Sequence, residues 1–248
     1  NPKNAGKNTD DLSFMFGESV RSTEDWTPSY PGYQGIKTAP VCELIDYRYD
    51  DAKFREINQQ DMVDIWPFSP MTKNNSCMYV LTHVIEDAGA THGQDIRHRA
   101  LDRSEVQLPG HFYLPPLLDA ANLKPAAEEL MQRYDELYHN PNLPKSLMTM
   151  IAPYGLMVEY DEMADLNSFV HKVGKRTCGC AQEAVRYEAL SLRQQLIEQL
   201  GPNAKLIKYM TPPCVSMSKC PEGKRSCGQG INNIIAAMQA EQIQRHRV

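Results

Sequence analysis

The chain has 248 residues, enough to bury a substantial core in one large domain or two small ones. Hydrophobic residues make up 42% and charged residues 23%, and a formal charge of −5 argues against the broad basic surface of a general nucleic-acid binder. No apolar run is long enough for a membrane-spanning helix, no leader pattern is read at the N-terminus, and seven cysteines, an odd number in a chain too large to need staples, predict a reducing, cytoplasmic setting.

Residues 1–40 are rich in Asn, Asp, Ser, Gly and Pro, with Phe14, Phe16, Trp26, Tyr30 and Tyr33 scattered among them. They predict an extended arm whose aromatics pack against the body or another subunit. Residues 41–205 are expected to form the main domain, opening with short apolar runs mixed with charge. Residues 77–84 have the β-branched and aromatic content of a strand. A weak helix is expected over 86–99, interrupted by Gly89 and Gly93. Pro109, Gly110, Pro115 and Pro116 make 100–116 loop or extended chain. Pro125 opens a helix that places Ala127, Leu130, Met131, Tyr134 and Leu137 inward and closes at Asn140-Pro141. A second helix is read over Asp161–Val173, with Met163, Leu166, Phe169, Val170 and Val173 inward. The longest runs from Ala181 to Leu200 and ends at Gly201-Pro202. Residues 206–248 form a cysteine-containing tail with a final helix from Asn232 to Gln244.

Three constellations could carry chemistry. The first is Gln94, Arg97, His98, Arg99 and Arg103, five donor or charged side chains within ten residues of an acidic chain. Arginine's fixed fork of donors suits phosphate, so a compact anionic ligand is the natural partner. If the following loop folds back, Ser104, Glu105 and Gln107 reach the same pocket, a mixture that fits a nucleotide. The triplet alone also reads as a solvated basic turn, and Arg245-His246-Arg247 repeats it with nothing around it. The second is Asn167 and His171, four apart on one helix face, followed by Arg176; a polar rim beside an apolar stripe explains the first two equally well. The third is Cys178-x-Cys180 with Cys214, Cys220 and Cys227. The tail cysteines could join Cys178-x-Cys180 around a metal or form a thiol-rich structural turn; the spacings match no familiar zinc finger, so no metal site is assigned.

Together these segments resemble the flavin-dependent thymidylate synthase family. That family carries an Arg-His-Arg triplet preceded by Gln and followed by Glu, here Arg97-His98-Arg99 with Gln94 and Glu105. Its downstream helix is matched by Asp165, Asn167, His171, Lys175 and Arg176, and the start of its long helix by Ala181-Gln182. The likeness covers roughly residues 65–200. Departures fall on the nucleotide pocket: Gln107 stands for the family's Ser, Pro109 for a phosphate-binding Arg, and Thr149 for a second Arg. Cys180 replaces a His, and Pro70–Lys73 replaces the Pro-Phe-Glu-His flavin segment. Arg103 is the local substitute for a lost guanidinium. This remodelling is most like the UMP/dUMP 5-methylases of polyoxin-type nucleoside-antibiotic pathways, members of the same family.

The resemblance implies an α+β fold with a mixed sheet and long helices, assembled as a homotetramer with active sites between subunits. It implies FAD as cofactor, with NADPH and methylenetetrahydrofolate as co-substrates and UMP or dUMP as the methyl acceptor. Arg97, His98, Arg99, Glu105, Asn167 and His171 would hold the flavin. Gln94, Arg103, Ser104, Glu105, Gln107, Tyr154 and Arg176 would hold the nucleotide, with Arg176 supplying catalytic charge. Two other readings fit the same residues: a housekeeping enzyme acting on dUMP alone, and a non-catalytic nucleotide- or flavin-binding homologue.

Overall fold

The computed structural model describes residues 28–54, 78–93, 101–216 and 218–245. Gln94, Arg97, His98 and Arg99 lie outside the described residues, as do Phe14, Phe16, Trp26 and the Pro70–Lys73 stretch.

Strand β1 (Gly35–Lys37) pairs in parallel with β5 (His111–Tyr113) as a small two-stranded sheet. The main sheet is antiparallel, in the order β2 (Val41–Tyr49), β3 (Met78–Asp87), β6 (Met157–Asp165), β4 (Asp102–Arg103). The expected strand at 77–84 therefore continues to Asp87. Of the expected 86–99 helix, the described part is α1 (Ala88–Gly93), capped by Asp87, whose carboxylate accepts from the Ala90 N–H at 2.8 Å. Burial raises the Asp87 pKa, with the nearby Glu183 charge adding to it.

Alternation on β3 and β6 sets the core. Met78, Val80, Thr82 and Val84 point inward from β3, and Val158, Tyr160 and Ala164 do so from β6. Helix α5 (Leu166–Arg176) and helix α6 (Glu183–Leu200) pack against the sheet. Leu166, Phe169, Val170 and Val173 join Leu192 and Leu196 in the main core. That core continues through α7 (Lys205–Tyr209) by way of Leu206, Ile207, Tyr209 and Met210.

The helix expected over 161–173 is corrected. Residues 161–165 belong to β6, with Asp161 and Met163 outward and Glu162 and Ala164 inward. The helix begins only where the Asp165 side chain accepts from the Ser168 N–H at 2.8 Å.

Beyond α2 (Pro116–Ala120), helix α3 (Lys124–Tyr138) buries Ala127, Met131, Tyr134 and Tyr138. Leu130 and Leu137, expected inward, face outward. The end of the N-terminal arm lies on this helix: Tyr30 is buried edge-on against Tyr134 and Tyr138, with ring centroids 5.5 and 4.8 Å away. Helix α4 (Lys145–Met150) follows. At the outer edge of β2, Gln195 of α6 accepts from the Leu44 N–H at 2.8 Å and donates to the Cys42 carbonyl at 2.7 Å. The chain ends in α8 (Pro213–Ser216), a turn-rich stretch, and α9 (Ile231–Arg245). No helix among the described residues is long and apolar enough to cross a membrane.

Candidate functional site

Inward alternation does not stop at apolar residues. Glu86 occupies the next inward position of β3 and Glu162 the inward position between Tyr160 and Ala164 of β6; both are buried. Each carboxylate is met by partners from neighbouring elements. The Lys172 ammonium of α5 lies 2.8 Å from Glu162 and 2.9 Å from Glu188 of α6, all three buried. Arg103 grips the second oxygen of Glu162 through Nε at 2.8 Å and Nη2 at 2.7 Å. Its guanidinium also sits 5.7 Å from the centroid of the Tyr160 ring. The Tyr160 hydroxyl donates to Glu86 at 2.7 Å, and the Thr91 hydroxyl donates to the same oxygen at 2.8 Å. Tyr113 donates to Glu183.

Buried ion pairs roughly break even against a packed apolar core, so this network adds little net stability. Its value is positional. Thr91 lies three residues before Gln94, and Arg103 lies four residues after Arg99. Both flanks of the basic stretch are thereby tied to β3 and β6. Sequence reasoning missed Glu86 and Glu162 because a charged residue at an inward strand position breaks the apolar alternation by which a strand is recognised.

The remaining candidates fall in three places. Ser104, Glu105 and Gln107 lie exposed along the outer edge of β6, in a continuation of β4 and not in a free loop. Ser104 exchanges hydrogen bonds with the Asp161 backbone, both at 2.9 Å, and the Gln107 N–H donates to the Glu159 carbonyl at 2.8 Å. Tyr154 is 74% exposed before β6, where its carbonyl accepts from the Gly89 N–H at 2.9 Å at the start of α1. Asn167, His171 and Arg176 lie along α5: Asn167 is buried, the other two half-buried. Burial, then the charges of Lys175 and Arg176, lower the His171 pKa, so its imidazole is neutral at neutral pH. Arg176, the last residue of α5, also lines a cavity of about 350 Å³ shared with Cys178, Cys180, Cys214, Cys220 and Cys227. Arg103 meets α5 through Glu162 and Lys172. The exposed edge residues and Tyr154 stay on the surface of the single chain.

No family model matches the chain, and no curated protein matches it. Solved structures do. A crystal structure of the UMP/dUMP methylase PolB from Streptomyces cacaoi, bound with 5-Br UMP, superposes with a TM-score of 0.53 at 9% identity, covering 71% of this chain and 96% of that one. A second structure of PolB from Streptomyces cacaoi, bound with 5-Br dUMP, gives a TM-score of 0.49 at 10% identity, over 66% and 92% of the two chains. At such identity the likeness establishes the fold alone: this is a mixed α+β chain similar in fold to that methylase.

Proposed function

We propose that the chain is an enzyme that methylates carbon 5 of uracil in UMP and dUMP. One observation carries this reading: nearly the whole of a UMP/dUMP methylase finds its counterpart in this fold. The Gln94, Arg97–Arg99 and Glu105 motif supports it independently, as does its order before Asn167, His171 and Arg176.

Carbon 5 of uracil is a weak nucleophile, so the protein must polarise the ring and hold a one-carbon donor against it. Arg176, placed near the pyrimidine carbonyls, would stabilise the negative charge that develops as carbon 5 attacks. Gln94, Ser104, Glu105, Gln107 and Tyr154 would orient the base, sugar and phosphate. Arg103 is already engaged by Glu162, so in this reading it positions the edge strand. The donor set fits a flavin: Arg97, His98 and Arg99 would meet its pyrophosphate, while Asn167 and neutral His171 share a face that would meet its polar ring edge. Bound FAD would supply hydride, with NADPH as reductant and methylenetetrahydrofolate as carbon source. Ser104, Glu105, Gln107 and Tyr154 are surface groups of one chain, which suits a site completed by a second subunit in a homotetramer.

The test is tritium release from 5-tritiated UMP and dUMP, with and without methylenetetrahydrofolate, on protein loaded with FAD and supplied with NADPH. Folate-dependent release from both nucleotides is expected. Release from dUMP alone would assign the housekeeping reaction. A yellow protein that binds nucleotide but releases no tritium would leave a binding homologue and overturn the enzyme.

A further inference from the structure

Five cysteines from three separate stretches of chain converge on one cavity. Cys178 and Cys180 come from the turn between α5 and α6, Cys214 from α8, and Cys220 and Cys227 from the stretch before α9. All six described cysteines are free thiols, and the sixth, Cys42, lies buried in the core away from this cavity. Within the group, Cys180 interacts with Cys178 and Cys227, and Cys214 with Cys178, Cys220 and Cys227. Lys175, Arg176 and Arg225 line the same walls, and Glu222 sits 3.5 Å from Lys175.

We infer that this cavity is a structural metal site in which Cys178, Cys214, Cys220 and Cys227 hold one zinc ion as thiolates. The spacing alone points away from such a site, because a Cys-x-Cys pair is tighter than the usual zinc pair. Folding changes the count: one thiol from that pair suffices when three others arrive from the tail. Cys178 comes from the α5–α6 turn and Cys227 from the tail, and both line the cavity, so the pair spans the two stretches the ion would join. Cys214 is linked to Cys178, Cys220 and Cys227, which leaves Cys180 as the spare thiol. Among the described residues no three such side chains yet stand at ligand spacing. Closure therefore requires rotamer changes and a small movement of 218–230, which is almost wholly exposed turn and irregular chain.

Charge and packing both favour closure. Four thiolates around a divalent ion carry a net charge of −2, and Lys175, Arg176 and Arg225 line the cavity together with Glu222, leaving a net positive charge to face them. A bound cation favours the thiolate form of its ligands. Each ligand gives its proton to solvent as the ion binds, with no change of oxidation state. The tail is otherwise anchored by a small apolar cluster of Leu190, Cys214, Ile234 and Met238. A metal would tie 218–230 to the end of α5 and the start of α6. The inference stands whether or not the chain methylates uracil.

Purify the full chain under reducing conditions without chelator and measure metal by mass spectrometry, then repeat after anaerobic reconstitution with Zn2+. Roughly one zinc per chain is expected, falling below about a tenth in Cys178→Ser and Cys227→Ser and unchanged in Cys180→Ser. Zinc loading should also slow proteolysis within 218–230, a readout independent of catalysis. Absence of zinc from wild-type protein after reconstitution would overturn the site. So would full zinc in Cys227→Ser, a Cys180–Cys227 disulfide in the reduced preparation, or stoichiometric iron and sulfide in place of zinc. If the ligand variants fail to fold, alkylation mapping on wild-type protein decides: zinc should protect Cys178, Cys214, Cys220 and Cys227 but not Cys180.

Discussion

Lys172 shows how one buried cation can organise a core. It lies between Glu162 and Glu188, with Glu162 also held by Arg103. Lys172→Met keeps the aliphatic stem but removes the charge between two buried carboxylates. It should lower unfolding free energy by about 3–5 kcal/mol, measured by urea titration. A loss under about 1 kcal/mol would mean that water or another cation already screens the pair. None of this chemistry was assigned from sequence. Lys172 follows His171 in a helix whose polar residues were read as functional face or solvated rim, and a lysine is rarely buried. Asn167, His171 and Arg176 stand out through family likeness and spacing; the helix expected to end at Val173 runs on to Arg176, so all three lie on it. Arg97, His98 and Arg99 have no described placement against which to set that reading.

At the scale of elements, the strand–helix boundary was the main misreading. Met163, Leu166, Phe169, Val170 and Val173 recur at helical spacing, yet the chain is extended until Asp165. The inward charge of Glu162 broke the apolar alternation that would have revealed a strand. The Asp165-x-x-Ser168 cap was the surviving clue to the true start. The long helix was legible to within two residues because Val185, Ala189, Leu192 and Leu196 keep an unbroken buried stripe. Glycine requirements are sharper. Gly110 has φ +81°, and a Cβ there would fall 2.3 Å from the Gly32 carbonyl oxygen. Its own carbonyl accepts from the Gln34 N–H, seating the end of the arm beside β5. Gly110→Ala should therefore cost about 1–3 kcal/mol for the backbone conformation, with the clash added. Differential scanning calorimetry should show a fall in Tm of at least about 2 °C; an unchanged Tm would mean the arm detaches without affecting the rest.

For the whole molecule, fold class came through the family resemblance more than through periodicity, and the superposition with a methylase supports it at the level of architecture. Assembly is the next question. Leu117 is 85% exposed and Met150 83%, while Leu130 and Leu137 form an outward row on α3 beside its buried stripe. Such exposed apolar side chains suit self-association. If the proposed homotetramer forms, light scattering should find four chains of 28.1 kDa each, about 112 kDa. Leu117→Glu with Met150→Glu should shift the protein to a smaller species, whereas a monomeric wild type would remove the intersubunit site from consideration. Any such association would have to stay finite. By bonding the Cys42 carbonyl and Leu44 amide from the side, Gln195 occupies backbone groups that an approaching foreign strand would otherwise use. The helix that packs the core thus doubles as a guard on an open margin, leaving growth to side-chain patches and denying it to endless β-stacking.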